Sequence, residues 1–199
     1  MTIDPSQGDE YAIVAVASSA GGIHGLSVLL GALGPAFPVP VLVVQHLDPR
    51  HRTVIADILS KRCALPVTLA RDGERALPGA VHIAPPDRHL LVGADGVMSL
   101  SDAELVHFLR PSADLLFESV AGAYGRRAIA CVLTGTGNDG AMGADAVKSR
   151  GGTVIAENPL TAEFNGMPQA AVNTGAVDFV LPLEEIASVI RGLVETKRQ

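Results

Sequence analysis

A chain of 199 residues is long enough to bury a large core, and we predict a single domain. Hydrophobic residues make up 48% of the sequence but aromatic residues only 4%, so we expect a core of Ala, Val, Leu and Ile, as in parallel strands covered by helices. The net charge of -6 and the scattered positions of the 15 basic residues argue against a nucleic-acid partner, and no apolar run is long enough for membrane insertion.

The N-terminal residues, 1–10, are polar and acidic, which is typical of a flexible segment and unlike a signal sequence. Cys63 and Cys131 are the only cysteines of the sequence, and Cys131 lies in an apolar run, so no disulfide framework is indicated. Both features favour a cytoplasmic protein whose folded domain covers residues 11–195.

Apolar runs alternate with stretches of helical spacing along most of the chain. Residues 67–100 differ, because short runs are broken there by turn sequences such as Asp72-Gly73, and this part predicts an insertion of short strands or hairpins. The alternation predicts an α/β fold, with a doubly wound, mostly parallel sheet, helices on both faces and a small β-hairpin insertion. The predicted strands are 11–17, 39–44, 129–133, 153–156 and 178–181, and the predicted helices are 23–33, 53–62, 113–123, 141–150, 167–173 and 183–195.

Three loops bring reactive side chains to the carboxyl edge of this predicted sheet, where functional groups of open parallel sheets gather. Ser18 and Ser19 lie in a small-residue turn before a helix, where an exposed hydroxyl meets backbone N–H groups that favour a developing anion. His46 ends the second strand and is a candidate general base. Asp139 follows a later strand among glycines and could hold the histidine in its working tautomer.

Each loop also has a purely structural interpretation. Either serine could cap the following helix, and Asp139 could cap the helix that starts near Ala141. The ring of His46 could simply be satisfied by nearby carbonyl groups. A serine, a histidine and an aspartate that each follow a different strand of one sheet nevertheless fit the nucleophile, base and orienter of acyl transfer.

Two other kinds of site compete with this interpretation. Gly135, Gly137 and Gly140 have the spacing of a dinucleotide-binding loop and Glu157 ends the next strand, although Asp139 would then repel the pyrophosphate. A metal site is also conceivable, but the spacing of its candidate ligands matches no tight pattern. These ligands are His46, Asp48, His51, Asp87 and His89.

In order along the chain, short motifs resemble those of the catalytic domain of the bacterial chemotaxis protein-glutamate methylesterases, the CheB family. The resemblance extends from about Tyr11 to Leu183 and begins with a Ser-x-Gly-Gly turn at Ser19. The motifs are Ser19-Ala20-Gly21-Gly22, Gln45-His46, Asp72-Gly73-Glu74-Arg75-Ala76-Leu77-Pro78-Gly79, Ile83-Ala84-Pro85, Arg110-Pro111-Ser112-Ala113-Asp114, Leu133-Thr134-Gly135, Gly137-Asn138-Asp139-Gly140 and Gly166-Met167-Pro168.

The resemblance implies a specific reaction and a role for each residue. It implies hydrolysis of glutamyl methyl esters on the cytoplasmic helices of methylated chemoreceptors, often with deamidation of glutamines, and no metal or organic cofactor. Ser19 rather than Ser18 becomes the nucleophile, His46 the base and Asp139 its orienter. Backbone N–H groups near Ala20 and Thr136 would hold the oxyanion.

Three departures from the family pattern affect what the resemblance implies. The family commonly has Thr where Ala20 stands and Met where Thr136 stands, which leaves the backbone donors but changes the pocket. Many members also carry an N-terminal receiver domain, so we expect either a separate receiver or regulatory protein or a different form of regulation. A non-catalytic sensor or scaffold module with the same fold is the alternative from another functional class.

Overall fold

The computed structural model describes residues 10–196, so the predicted flexible segment 1–10 lies outside the described residues apart from Glu10. Within this range the chain forms nine strands, six α-helices and one turn of 3-10 helix at Gly125–Arg127. In chain order these elements are β1 (Ile13–Ser18), α1 (Gly22–Leu33), β2 (Val41–Gln45), α2 (Ile55–Ser60), β3 (Val67–Leu69), β4 (Val81–Ile83), β5 (His89–Val92), β6 (Met98–Ser101), α3 (Ala113–Tyr124), β7 (Ala128–Val132), α4 (Ala141–Ser149), β8 (Thr153–Glu157), α5 (Gly166–Asn173), β9 (Phe179–Leu181) and α6 (Leu183–Thr196).

Seven strands form one parallel sheet in the order β3-β4-β2-β1-β7-β8-β9. The sheet is doubly wound, because the chain moves outward from β1 in one direction through β2 and in the other through β7. At such a switch point the loops on both sides of β1 diverge and leave a crevice at the carboxyl edge. The fold class predicted from the sequence is therefore confirmed.

Strand β1 is buried on both faces, which explains its nearly continuous apolar sequence. Because successive side chains alternate between faces, Val14 and Val16 contribute to the core beneath α1 and α6. Ile13, Ala15 and Ala17 contribute to the opposite core, beneath α3, α4 and α5. Two hydrophobic cores thus hold helices on both faces and fix β1 at the centre of the molecule.

The sequence predicted that residues 67–100 form one insertion of short strands or hairpins, but the structure divides their strands between two sheets. Strands β3 and β4 belong to the main sheet, where β4 pairs in parallel with β2. Only β5 and β6 form the separate antiparallel hairpin, with His89 opposite Ser101. Strands of three residues are too short to show a periodicity, so their place in the sheet is decided by the pairing of β4 with β2 and of β3 with β4 rather than by a local pattern.

Helix α2 is shorter than the predicted 53–62. Thr53 stays outside the helix, where its hydroxyl accepts a hydrogen bond from the amide of Ile55 at 3.2 Å. A threonine that bonds to the backbone two residues ahead favours a turn over a helix interior. The remaining predicted helices and strands lie within one to two residues of their observed bounds.

Candidate active site

The three predicted side chains lie at the carboxyl edge of neighbouring strands. Ser19 follows β1, His46 follows β2, and Asp139 lies between β7 and α4. Strands β2 and β7 both pair with β1, so the three loops emerge side by side. The crevice at the switch point is therefore the place where the sequence-predicted residues meet.

The Ser19 loop turns sharply into α1 with glycine rather than serine at its cap. Gly21 is the N-cap of α1 and has a φ of 74°, in the left-handed region that glycine adopts without strain. No side chain caps this helix, and the buried Ser18 hydroxyl donates instead to Gln45 Oε1 at 2.6 Å. The interpretation of either serine as the cap of α1 is therefore wrong.

His46 and Asp139 are joined by a hydrogen bond of 2.7 Å between Nε2 and Oδ2. The Asp139 carboxylate is almost fully buried and also accepts hydrogen bonds from the start of α3. These come from the amide of Ala113 at 2.7 Å, the amide of Asp114 at 3.0 Å and the hydroxyl of Ser112 at 3.0 Å. Asp139 thus binds the N-terminus of α3, and the cap of α4 is Gly140 instead, so the prediction of Asp139 as the cap of that helix is wrong.

The environment of Asp139 favours its charged form. Burial opposes the charge, but the hydrogen bond from His46 and the amides of Ala113 and Asp114 outweigh it and lower the pKa of Asp139. Asp114, whose amide donates to Asp139, has the opposite shift, because burial and the charge of Asp139 raise its pKa against the amides of Gly143 and Gly140. One carboxylate is therefore held ionised next to a second whose charge is disfavoured.

The backbone holds Ser19 close to the other two residues. The amide of Ser19 donates to Thr134 O at 3.0 Å, and the amide of His46 donates to Ser18 O at 3.1 Å. Among the described residues, no hydrogen bond joins the Ser19 hydroxyl to His46. With Nε2 facing Asp139, the Nδ1 atom is the ring nitrogen left to accept a proton.

The predicted oxyanion donors, Ala20 and Thr136, lie on the loops that flank Ser19. Within residues 10–196 neither of their amides donates a hydrogen bond to another protein group. Gly135 brings the second of these loops close to Ser19, since a Cβ at position 135 would lie 2.9 Å from Ser19 Cβ and 2.3 Å from Met167 Sδ. Two free backbone donors are therefore available on loops next to the serine.

The geometry argues against the two competing sites. Glu157 is buried and accepts a hydrogen bond from the amide of Thr134 at 2.8 Å, so its carboxylate is turned inward rather than towards a ribose. Asp48 pairs with Arg50, and Asp87 pairs with Arg110. Across the described part of the chain, no group of three or more His, Cys, Asp or Glu side chains is placed to hold a metal ion.

The start of α3 donates hydrogen bonds to Asp139 that the sequence of the three loops does not predict. Ser112, Ala113 and Asp114 supply three hydrogen bonds to Asp139 from about 25 residues earlier in the chain. The local signal was present, because Ser112 is an N-cap residue that accepts from the amide of Leu115. A cap predicts where a helix begins, but it does not reveal which carboxylate binds that helix.

Comparison with known proteins identifies the family. The sequence pattern that describes the CheB methylesterases matches residues 14–190. A relative from Leptospira interrogans is 38% identical over 179 residues, which are 90% of this chain and 93% of the relative. The protein-glutamate methylesterase/protein-glutamine glutaminase 2 of Anaeromyxobacter dehalogenans is 42% identical over 95% of this chain, and the match spans only 55% of that longer protein.

A solved structure agrees with these sequence matches. The crystal structure of the Thermotoga maritima CheB methylesterase catalytic domain superposes with a TM-score of 0.89 at 38% identity. The match covers 92% of this chain and 98% of that one, so both the fold and its length correspond. The chain therefore belongs to the CheB methylesterase family.

Proposed function

We propose that this protein hydrolyses glutamyl methyl esters on chemoreceptors, with Ser19 as nucleophile, His46 as base and Asp139 as orienter. The observation that carries the proposal is the hydrogen bond of 2.7 Å between His46 Nε2 and a buried Asp139, on the loops next to Ser19. A histidine oriented by an ionised carboxylate is poised to take a proton from a hydroxyl. Membership of the CheB methylesterase family supports a methyl ester as the group that this hydroxyl attacks.

The reaction runs in two steps through an acyl-enzyme. Ser19 Oγ attacks the ester carbonyl while His46 Nδ1 takes the hydroxyl proton and Asp139 stabilises the imidazolium that forms. The C–O bond to the methoxy group then breaks, and His46 returns the proton so that methanol leaves. A water molecule, deprotonated by His46, then attacks the acyl-enzyme, the bond from the acyl carbon to Ser19 Oγ breaks, and His46 returns the proton to Ser19 Oγ as the glutamate side chain is released.

The amides of Ala20 and Thr136 are the proposed donors to the oxyanion. Because they have no protein acceptor within the described residues, the charge that develops on the carbonyl oxygen is the partner they lack. Ala20 also lies just before the N-terminus of α1, whose dipole favours negative charge. Both donors belong to the backbone, so they are independent of the side chains found at these positions.

Deamidation of receptor glutamines uses the same machinery. The amide carbonyl accepts the attack of Ser19 in place of the ester, and His46 protonates the leaving group as ammonia. The curated relative from Anaeromyxobacter is named for both activities, methylesterase and glutaminase. We include the glutaminase activity in the proposal for this chain on that basis.

A protein substrate is supported by the surface next to His46. A cavity of about 320 Å³ lies there, with apolar walls that include Leu105 and Phe108. Phe108 is 93% exposed, and its backbone has a φ of 66°, which is unfavourable for a side chain of this size. An aromatic ring held in solvent by a strained turn beside the base is suited to contact the helix that carries the ester.

The proposal extends to the context of the enzyme. We assign residues 11–195 to one catalytic domain, and the proposed substrates, the cytoplasmic helices of receptors, support a cytoplasmic location. Every helix within residues 10–196 is too short or too polar to span a lipid bilayer. A receiver or other regulatory protein that acts on this domain is a further proposed partner, by analogy with the family pattern.

Methanol release from methylated receptor cytoplasmic fragments tests the proposal. We expect release by the native chain and loss of release in Ser19→Ala, with an unchanged thermal melt. Ser27→Ala is the matched control, because its hydroxyl only bonds to Ile23 O of its own helix, and it should keep full activity.

The same experiment tests the alternative of a non-catalytic sensor or scaffold module. Absence of methanol release across several receptors, together with absence of labelling of Ser19 by a serine-directed phosphonate, would support that module and contradict the enzyme. Labelling that disappears in His46→Ala would support an activated serine.

A further inference from the structure

Gln45 connects the two loops that carry the proposed nucleophile and base. It is the last residue of β2, its side chain is buried, and it precedes His46 directly. Its Nε2 atom donates to Ser19 O at 2.8 Å and to His46 O at 3.1 Å, while its Oε1 accepts from the Ser18 hydroxyl at 2.6 Å. Both amide protons and the carbonyl oxygen are therefore used on the two loops.

The fourth residue of the Ser19-Ala20-Gly21-Gly22 turn makes room for this side chain. A Cβ at Gly22 would lie 2.0 Å from Gln45 Oε1 and 2.8 Å from both Ser18 Cβ and Ser18 Oγ. No side chain larger than hydrogen fits there while Gln45 keeps its place. The second glycine of the turn is thus explained by the position of Gln45.

Strand pairing alone does not hold Ser19. The β1-β2 ladder ends with Ser18 opposite Gln45, and its last bond runs from the amide of His46 to Ser18 O. The carbonyl of Ser19 lies beyond this ladder. On the side that faces β2, it accepts a hydrogen bond from the side chain of Gln45. The side chain therefore extends the connection between the two loops by one residue, to the nucleophile itself.

We infer that Gln45 is a positioning residue that sets Ser19 against His46 for the proposed reaction. The inference rests on the proposed function of these two residues. Since no hydrogen bond joins the Ser19 hydroxyl to His46, the distance between them is set by their backbones, and Gln45 binds the carbonyl of each. A displacement of about 1 Å at such a site lowers the rate of reaction by about 100-fold.

Replacement of the Gln45 amide by a carboxyl group distinguishes a role in positioning Ser19 by hydrogen bonds from a role in filling space. In Gln45→Glu the shape is kept, but the ionised carboxylate has no proton to donate and faces the carbonyl oxygens of Ser19 and His46. When protonated, it regains one donor. In Gln45→Met the size is similar and no donor exists at any pH, so this variant is the matched control.

The experiment measures kcat and KM for methanol release between pH 5 and 8, with each variant expressed as a ratio to the native chain at the same pH so that pH effects common to both proteins cancel. For Gln45→Glu we expect kcat to fall by about 10- to 100-fold at pH 8, KM to change by less than about threefold, and the ratio to recover as the pH falls. The ratio for Gln45→Met should be low and independent of pH.

A native-like kcat in either variant, or a Gln45→Glu ratio that is as flat with pH as that of Gln45→Met, would overturn the inference. If the Glu variant does not fold, the Met variant alone decides by its kcat. The rate of phosphonate labelling at Ser19 is measured in parallel. Labelled native enzyme without methanol release refutes the proposed substrate and leaves the labelling rates to test Gln45, whereas unlabelled native enzyme refutes both.

Discussion

The two halves of the candidate site are held in different ways. Asp139 accepts four hydrogen bonds, from His46 and from three donors at the start of α3, and this half is complete without a ligand. On the Ser19 side the backbone is fixed, but the Ser19 hydroxyl has no bond to His46, and the amides of Ala20 and Thr136 have no acceptor among residues 10–196. The fold thus satisfies the group that must stay charged and leaves unsatisfied the groups that would meet the reacting carbonyl.

The largest expected effect comes from the half of the site that contains Asp139, in which the hydrogen bonds are complete. In Asp139→Asn the amide would no longer hold His46 in the tautomer that leaves Nδ1 free to accept a proton, and we expect kcat to fall by about 10⁴-fold. The measurement is kcat on methylated receptor fragments with a thermal melt. Asp145→Asn, the same change at an exposed position in α4, is the control and should be fully active. An Asp139→Asn enzyme with more than a tenth of native kcat would contradict the role of orienter.

The half of the site that contains Ser19 is tested by Gly135→Ala. The added methyl group would meet Met167 Sδ at 2.3 Å and Ser19 Cβ at 2.9 Å, so Ser19 and the backbone at position 135 must move apart. We expect the free energy of unfolding to fall by about 1–3 kcal/mol, and kcat to fall by about 100-fold because the nucleophile is displaced.

Gly122→Ala provides the control for this substitution. A Cβ at this position of α3 meets nothing within 4 Å, so we expect a gain in stability of about 0.5–1 kcal/mol and native activity. Urea unfolding and kcat are measured for both variants. Native kcat in Gly135→Ala would mean that the approach of the two loops does not set the position of Ser19.

A smaller effect is expected at the surface beside His46, where the site would contact its protein substrate. Replacement of Phe108 by Ser removes the exposed ring beside His46, and we expect KM for a methylated receptor fragment to rise about tenfold, or about 1.4 kcal/mol, with little change in kcat. Hydrolysis of a small soluble ester should be unaffected. Leu77→Ser, at an exposed position on the loop before β4, is the control. Equal effects on both substrates would exclude a contact with the receptor helix.

The smallest expected effect distinguishes the two carboxylates at the start of α3. Because the pKa of Asp139 is lowered on folding, its charge stabilises the protein above the ordinary carboxyl range, and this stability is lost as the pH falls through the lowered value. The pKa of Asp114 is raised, so its charge weakens the fold at neutral pH, and stability is regained as the pH falls through the raised value.

Urea unfolding between pH 3 and 7 measures this difference. The stability of the native chain relative to Asp139→Asn should decrease towards acid pH, whereas its stability relative to Asp114→Asn should increase. Slopes of the same sign for the two variants would contradict the opposite shifts of the two carboxylates.

Much of this protein could be predicted from local sequence. The buried strands and the helices have distinct periodicities, so the parallel, doubly wound sheet was predicted correctly, and the motifs from Ser19 to Met167 pointed to the CheB family that the comparisons confirmed. The placement of β3 and β4 was wrong because a strand of three residues carries no periodic signal. The roles of Ser19, His46 and Asp139 remain predictions, now with a geometry that can be tested.

Local sequence specifies which residues form strands and helices and which loops carry reactive side chains, because backbone preferences and hydrophobic periodicity act over a few neighbouring residues. The groups that those side chains bind depend instead on tertiary contacts. Asp139 meets the start of α3, and Gln45 meets the carbonyl of Ser19, across separations of about 25 residues along the chain. Contacts of that kind depend on how strands are ordered in the sheet and leave no periodic trace in the sequence.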